Sequence, residues 1–252
     1  MCGRFAMFQE IAPLLDDLDA VDLTDPHLRA RWNIPPTAPI YVVTESVDAD
    51  SGEVLRALRA ARWGLLPPFA KDESFSARTF NARRETLREK PSFRGSLARY
   101  RAVVPMDGYY EWRRDASGKR TKEPFFISDG TGRPLLMAAL VSWWRGPGAH
   151  EGPAASDDGA WLLSASIITR ESVGPMREIH DRTPVMLERS EIDAWLDPGM
   201  DDKDEVQAWI LDDAHIVDDA SLSVVPIGPE VGPVHNEGPQ LLEPVSPALT
   251  LT

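Results

Sequence analysis

The sequence predicts a single domain of the α+β class with a largely antiparallel sheet. Short apolar runs bounded by Gly, Pro and Asp follow one another along the 252 residues, which is typical of strands. Few helical patterns lie between these runs, so the regular strand–helix alternation of a doubly wound parallel sheet is missing. No stretch has the length and composition of a linker between domains.

Apolar periodicity predicts the individual elements in order along the chain. The expected strands are Ile40–Thr44, Arg101–Met106, Tyr109–Trp112, Pro124–Ser128, Leu135–Ser142, Leu162–Thr169 and Thr183–Leu187. The expected helices are Glu10–Leu18, Arg83–Lys90, Ser190–Leu196 and Glu205–Leu211. Asn81 is placed to cap the second helix, and Ser190 with Asp193 resembles a capping box at the third.

The domain is expected to span residues 1–245. The stretch Arg145–Gly159 is acidic and rich in Gly and Pro, which predicts a surface loop at about 145–160 between two strands. The chain after Ile227 is again rich in Pro and Gly and predicts irregular surface structure. Residues 246–252 are expected to form a C-terminal tail.

Composition indicates an ordinary globular protein, with 42% hydrophobic residues and eight Trp. The one cysteine excludes an internal disulfide framework. Asp16, Asp17 and Asp19 lie where a secretion signal would be basic and then apolar, and no run of eighteen apolar residues occurs. We therefore expect a soluble, cytoplasmic protein without a membrane partner.

Charge is distributed unevenly around a net value of −13. Residues 1–150 hold 22 Lys and Arg against 19 Asp and Glu, whereas residues 151–252 hold 5 against 21. Within Arg78–Arg101, seven Arg and one Lys face only Glu85 and Glu89. Such a run is most often a solvated helix face, and its alternative is a surface that binds nucleic-acid phosphates.

Cys2 is the only thiol in the chain, and removal of Met1 would leave it beside a free α-amine. An amine and a thiol two bonds apart can condense with an aldehyde to a Schiff base and then close a thiazolidine ring. With an amide or ester substrate, the thiol would instead be the nucleophile and the amine its base. A buried, unreactive Cys is the alternative to both chemistries.

Two further side chains could carry chemistry. Glu111 lies among aromatic residues in Tyr109–Trp112, where desolvation would raise its pKa toward the range of a general acid or base. His180 precedes a strand and could move protons near neutral pH. An exposed strand Glu and a structural His are the alternatives. Five scattered His and one Cys offer no zinc-type spacing, so we expect no metal, and no Gly-rich phosphate loop follows a strand.

Many short motifs in order resemble one family. They are MCGRF, RWNIPPT, ARWGLLPPFAKD, FNARRETL, VVPMDGYYEW, EPFFI, AALVSWW, SIITRES, EIHDRTPVML and VGPVHNEGPQLLEPV. Together they resemble the SRAP (SOS response-associated peptidase) family of abasic-site-processing proteins, from Met1 to about Val245. The resemblance implies a compact α+β domain with a barrel-like sheet, a monomer, no cofactor, and a basic cleft for single-stranded DNA.

The family also implies roles for individual residues. Cys2 would form a thiazolidine cross-link with the aldehyde of an abasic site. Asn81 would hold the Cys2 amine and the sugar, Glu111 would move protons, and His180 would orient or protonate sugar oxygens. The remaining implied positions are Arg83 on a phosphate, Thr169 lining the pocket, and Arg4 and Trp63 as backbone and base-stacking contacts. The family name further implies a peptidase activity that removes Met1, and the Schiff base would permit strand scission.

One segment departs from the family. Where relatives often carry Trp after Gly64, this chain offers only Phe69, which implies weaker base stacking. The acidic second part is expected to face away from the cleft and limit non-specific binding. Two alternatives stay open: an N-terminal-nucleophile amidohydrolase of the glutaminase type, and a DNA-binding module whose Cys2 is simply buried.

Overall fold

The computed structural model describes residues 2–48, 51–115, 117–146 and 161–245, and it confirms the α+β fold. The strands in these ranges are β1 (Phe5–Met7), β2 (Val21–Asp22), β3 (Arg31–Ile34), β4 (Pro39–Val47), β5 (Val54–Trp63), β6 (Asn81–Arg83), β7 (Arg101–Met106), β8 (Gly108–Arg114), β9 (Arg120–Ser128), β10 (Leu135–Trp144), β11 (Leu162–Glu171), β12 (Arg182–Pro184) and β13 (Ser223–Pro226). The α-helices there are α1 (Ala12–Leu18), α2 (Ile192–Leu196) and α3 (Lys203–Leu211).

The larger sheet closes on itself into a small barrel. Its strands run in the order β12-β11-β10-β7-β4-β5-β2, and an additional parallel pairing joins β5 to β11. Strands β11, β10, β7, β4 and β5 therefore form a ring, with antiparallel pairing at every junction except β5–β11. The short strand β6 lies parallel to β11, on the edge of β11 that faces away from β10.

The second sheet has five strands in the order β13-β9-β8-β1-β3. Strand β1 lies between β8 and the edge strand β3, which places the start of the chain inside this sheet. One continuous core of buried side chains joins the two sheets, since Cys2, Phe5 and Tyr109 belong to the same apolar cluster as the barrel residues. Burial on both faces explains why β7 and most of β10 are apolar at successive positions rather than at alternate ones.

The helix predicted at Arg83–Lys90 is wrong. The segment begins as β6, whose Ala82 pairs with Ile168 of β11, and continues as a short 3-10 turn at Arg84–Thr86. Pairing with the barrel satisfies this backbone and buries Ala82, which outweighs local helix propensity. Asn81 is consequently a strand residue and not a helix cap.

The capping box at Ser190 is also wrong. A 3-10 turn at Arg189–Glu191 leads into α2, and no side chain caps its first turn.

The predicted strand at Thr183–Leu187 is shorter than expected, ending at Pro184, and the residues after it form only isolated bridges. The predicted loop at 145–160 lies almost wholly outside the described residues, as does the tail at 246–252.

Within the described ranges, no helix is long and apolar enough to cross a membrane.

Candidate active site

Cys2 lies just before β1, an inner strand of the smaller sheet, and its side chain is fully buried. Asn81 of β6 reaches it from the barrel and donates a 2.6 Å hydrogen bond from Nδ2 to the Cys2 carbonyl oxygen. The two residues are 79 positions apart in sequence, and this contact joins the chain start to the larger sheet. The second polar atom of Asn81, Oδ1, is buried and has no hydrogen-bond partner in the described structure.

Glu111 approaches Cys2 along β8. Tyr109 lies opposite Phe5, and the Tyr110 backbone N–H donates to the Arg4 carbonyl at 2.9 Å, so Glu111, the next residue of β8, follows the chain back toward Cys2. Glu111 is buried, and desolvation raises the pKa of its carboxyl. Burial also raises the pKa of the Cys2 thiol to about 12, and the nearby Glu111 carboxylate adds to the effect. The thiol is therefore protonated at neutral pH in this arrangement.

His180 completes the cluster from the turn before β12. Its Nε2 lies 3.8 Å from Glu111 Oε1, and its Nδ1 lies 2.7 Å from Asp181 Oδ1. On the Nε2 side, the guanidinium of Arg114 approaches to 2.9 Å. Desolvation lowers the pKa of His180, and the positive charge of Arg114 lowers it further against the opposing effect of Asp181. The imidazole is therefore neutral near pH 7.

The contacts of His180 select a tautomer. A guanidinium can only donate, so Nε2 must accept from Arg114, and the proton belongs on Nδ1, where it can be donated to the Asp181 carboxylate. The Arg182 backbone N–H also points at Nδ1, at 3.0 Å, so in this tautomer two N–H groups face each other, and the shorter bond to Asp181 offsets that repulsion. The lone pair of Nε2 accordingly faces the side that holds Glu111.

An ion pair between a buried arginine and an exposed carboxylate joins the two halves of the site. Arg182 donates from both guanidinium nitrogens to the carboxylate of Glu85, at 2.9 Å each, and also to the carbonyl of Thr169 at 2.6 Å. Arg182 follows His180 in sequence, and Glu85 follows Asn81 and β6. The fork-shaped pairing therefore fixes the strand that carries Asn81 relative to the turn that carries His180.

Arg83 lies next to this pair at the end of β6 and is exposed. It forms no ion pair within the described structure, whereas its neighbour Arg84 binds Asp213 at 2.6 Å. The adjacent cations differ because β6 ends at Arg83, whereas Arg84 begins the 3-10 turn and reaches the end of α3, where it also donates to the Ile210 carbonyl at 3.5 Å. Arg83 is thus available to an anion at the edge of the cluster.

An exposed aromatic edge lies further along the same surface segment. Phe69 is 56% exposed, and its ring meets Phe75 edge-to-face at 5.8 Å between centroids. The guanidinium of Arg78 lies over Phe75 at 5.2 Å. A ring and a cation side by side on the surface suit the stacking of an unpaired base.

Three residues that the family implied as contacts lie elsewhere. Trp63 is fully buried, with Nε1 donating to the Phe80 carbonyl at 2.9 Å, so no ring face is open to a base. Thr169 is fully buried too, and its hydroxyl donates to the Ala82 carbonyl at 3.2 Å, which holds β6 to β11 instead of lining the pocket. Arg4 donates to Asn33 Oδ1 at 2.7 Å and to the Val231 carbonyl at 3.0 Å, so it binds the protein's own acceptors.

The acidic second part does not all face away from the basic segment. Asp201, Asp204 and Asp213 pair with Arg99, Arg88 and Arg84, at 3.9, 2.7 and 2.6 Å. Acidic residues around α3 thus cover part of the run between Arg78 and Arg101. Within that run, the exposed cations that have no carboxylate partner among the described residues are Arg78, Arg83, Lys90 and Arg94.

Sequence reasoning missed Arg114 and Asp181 as neighbours of His180. If side chains alternated regularly along the strand, Arg113 would lie on the same face as Glu111, and Arg114 would lie on the opposite face. A register shift between Trp112 and Arg114 breaks this alternation, and a bulge of that kind re-aims the side chains after it. Asp181 follows His180 directly in the IHDR motif, and this adjacency could have indicated their contact.

Within the residues that the structure describes, no three His, Cys, Asp or Glu side chains gather as a metal site requires.

Known proteins resemble this chain over most of its length. The profile of the SOS response associated peptidase (SRAP) family matches residues 1–234. The abasic site processing protein YoqW of Bacillus subtilis (strain 168) is 32% identical over 244 residues, covering 96% of this chain and 99% of that protein. The abasic site processing protein HMCES of Mus musculus is 32% identical over 226 residues, which is 78% of this chain and 59% of the mouse protein.

Among solved structures, a protein from Bacteroides thetaiotaomicron superposes with a TM-score of 0.74 at 21% identity, covering 97% of this chain and 100% of that one. At that identity the likeness concerns the fold.

Proposed function

This chain belongs to the SOS response associated peptidase (SRAP) family, and we propose that it captures abasic sites in single-stranded DNA covalently through Cys2. One observation carries the proposal. Asn81 holds the backbone of Cys2, whose amine and thiol are the two nucleophiles, beside a buried Glu111 with a raised pKa and a neutral His180, two side chains that can exchange protons with a substrate. The names of the relatives YoqW and HMCES point to the same lesion.

The chemistry requires that Met1 be removed first, so that Cys2 carries a free amine. The amine attacks the aldehyde of the open-chain sugar, and loss of water gives a Schiff base. The Cys2 sulfur then adds to the same carbon while its proton passes to the nitrogen, which closes a thiazolidine ring. Atoms balance with water as the only product released, and no oxidant or metal takes part.

Glu111 and His180 have complementary roles in this scheme. The raised pKa of Glu111 makes its carboxylate a stronger base, so it can take up a proton released by the amine and return it to the departing water or to the sugar ring oxygen. The neutral imidazole of His180 can orient the sugar hydroxyls and accept a proton at Nε2. Asn81 positions the Cys2 backbone through Nδ2 and offers Oδ1, buried and unpartnered in the described structure, to the amine or the sugar.

Binding of the strand falls to residues at the edge of the cluster. Arg83 is exposed beside Asn81 and is proposed to hold the phosphate next to the lesion. Phe69, with Phe75 and Arg78 behind it, is proposed to stack a neighbouring base. A single Phe offers less stacking area than Trp, so preference for a junction between single and double strands is expected to be weak.

The family name leads to a second, dependent proposal: the same pocket removes Met1, with the Cys2 thiol as nucleophile. A strand-scission activity would follow only if the Schiff base persists long enough for β-elimination, which ring closure suppresses.

The test is a denaturing gel with single-stranded DNA that carries one abasic site. Wild type should give a covalent shift that survives denaturation, Cys2→Ala should give none, and Glu111→Gln should slow its appearance. Equal cross-linking by Cys2→Ala would overturn the proposal. Turnover of glutamine to glutamate without any shift would instead favour an amidohydrolase, and a retained Met1 with tight non-covalent binding would favour a DNA-binding module.

A further inference from the structure

Arg114 sits at the mouth of the cluster and binds His180 with an otherwise exposed side chain. Its Nη2 lies 2.9 Å from His180 Nε2, and its Nη1 donates to the Gly118 carbonyl at 2.7 Å. Its backbone N–H also donates to the Ile179 carbonyl at 3.1 Å, immediately before His180. The guanidinium therefore covers the one imidazole nitrogen that could act on the sugar.

This contact matters because it consumes the lone pair of Nε2. While Arg114 donates to it, Nε2 can neither accept a proton nor bind a sugar hydroxyl. An arginine is also a good ligand for a phosphate, which can take both of its outer nitrogens. An exposed arginine that holds a histidine by a single bond has two competing partners once a nucleic-acid strand arrives.

We propose that Arg114 is a positioning residue that couples strand binding to catalysis: a DNA phosphate draws its guanidinium away from His180 and so frees Nε2 for the abasic sugar. This inference rests on the proposed function and assigns a regulation to the same site. In the free protein His180 is held inactive, and an intact strand is sufficient to release it. The protein thereby keeps its proton acceptor masked until DNA lies in the cleft.

The charged groups of the described residues that face His180 are consistent with this exchange. Glu111 of β8 and Asp181 of its own turn supply carboxyl groups, whereas Arg114 supplies a cation. Arg182 contacts the ring only through its backbone N–H. Departure of Arg114 removes one cation from the surroundings of His180. A protonated His180 can then pair with Glu111, whose Oε1 lies 3.8 Å from Nε2. Both changes raise the pKa of His180 when DNA binds.

The experiment measures the pKa of His180 by NMR, with its signal assigned by comparison with His180→Asn. The ligand is a thymidine oligonucleotide without an abasic site, so no cross-link forms and the test does not depend on the covalent chemistry. In wild type the pKa should rise by about one unit or more when the oligonucleotide saturates the protein. In Arg114→Gln it should be raised already without DNA and change little when DNA is added.

Two controls separate this role from a structural one. Arg113→Gln removes the neighbouring cation, which pairs with Glu123 at 3.3 Å, and should titrate like wild type. Arg114→Lys keeps the charge and should restore part of the DNA-linked rise. An unchanged His180 pKa in wild type with bound oligonucleotide, or a wild-type titration in Arg114→Gln, would overturn the inference while leaving cross-linking through Cys2 intact. Loss of cross-linking in Cys2→Ala bears only on the proposed function.

Discussion

The side chain of Asn81 donates a 2.6 Å hydrogen bond to the carbonyl oxygen of Cys2, across the junction between the two sheets. Asn81 lies on β6, whose partner is the barrel strand β11, so the barrel fixes the position of the nucleophile's backbone. A loss of this contact would free the chain start from the rest of the site.

Replacing Asn81 by Asp keeps the shape of the side chain but removes the donor and adds a charge that repels the Cys2 carbonyl. We expect cross-linking to slow about tenfold or more, since one hydrogen bond is worth about 1 kcal/mol and the charge adds to its loss. The rate of covalent capture on a denaturing gel measures the effect. Asn236→Asp is the matched control, because that amide donates to the Glu230 carbonyl at the surface. Similar slowing in both variants would contradict the role of Asn81.

Arg83 and Arg84 offer a paired test of the phosphate contact. Arg83→Gln should weaken binding of an intact oligonucleotide and lower the slope of log K against log salt by about 0.7, the value for one lost phosphate contact on a single strand. Arg84→Gln should leave the slope unchanged, because its guanidinium is held by Asp213. Fluorescence anisotropy at several salt concentrations gives both slopes. If Arg84 rather than Arg83 carried the salt dependence, the strand would follow a different path.

Phe69 and Trp63 are both candidate stacking residues by sequence, and the structure separates them. Phe69→Ala should reduce oligonucleotide affinity about fivefold or more, because stacking of a base is worth about 1–3 kcal/mol. Trp63→Phe should leave affinity unchanged and lower the melting temperature, since it removes buried volume and the hydrogen bond to Phe80. Anisotropy and calorimetry on the two variants decide the matter. A larger loss of affinity in Trp63→Phe than in Phe69→Ala would mean that Trp63, and not Phe69, contacts the DNA.

The raised pKa of Cys2 predicts how its thiol reacts. With a pKa of about 12, the reactive thiolate is scarce at neutral pH and increases about tenfold for each unit of pH up to that value. In the native chain that still carries Met1, for which this pKa holds, alkylation by iodoacetamide should therefore accelerate steadily between about pH 7 and pH 10, always more slowly than in a denatured sample. Intact mass spectrometry follows the reaction. A plateau near the ordinary cysteine pKa of about 8.5 would mean that Cys2 is exposed.

Much of the fold was accessible from apolar patterns. The strands that became β7, β8 and β10 were predicted close to their observed bounds, because buried apolar runs between turn residues are a direct signal. The helix predicted at Arg83–Lys90 failed because pairing with β11, which is distant in sequence, decides the structure of that segment. Short strands such as β1 and β3 gave no periodic signal in three or four residues.

The candidate site was only partly accessible from sequence. The resemblance to a family brought Cys2, Asn81, Glu111 and His180 together, and the structure places all four in one cluster. Motif matching could not show that Trp63 lies in the core, because a buried and an exposed Trp look alike in sequence. Arg114 stayed hidden for a different reason: the register shift after Trp112 overrides the alternation from which its side would be inferred.

The mass of the covalent product tests the central claim most directly. Wild-type protein incubated with a single-stranded abasic oligonucleotide should yield one adduct, whose mass equals that of the chain without Met1 plus the oligonucleotide minus one water. Digestion of the protein and the DNA should leave the sugar remnant on the peptide that begins with Cys2. An adduct on any other residue, or a chain that retains Met1 and still cross-links, would contradict the account.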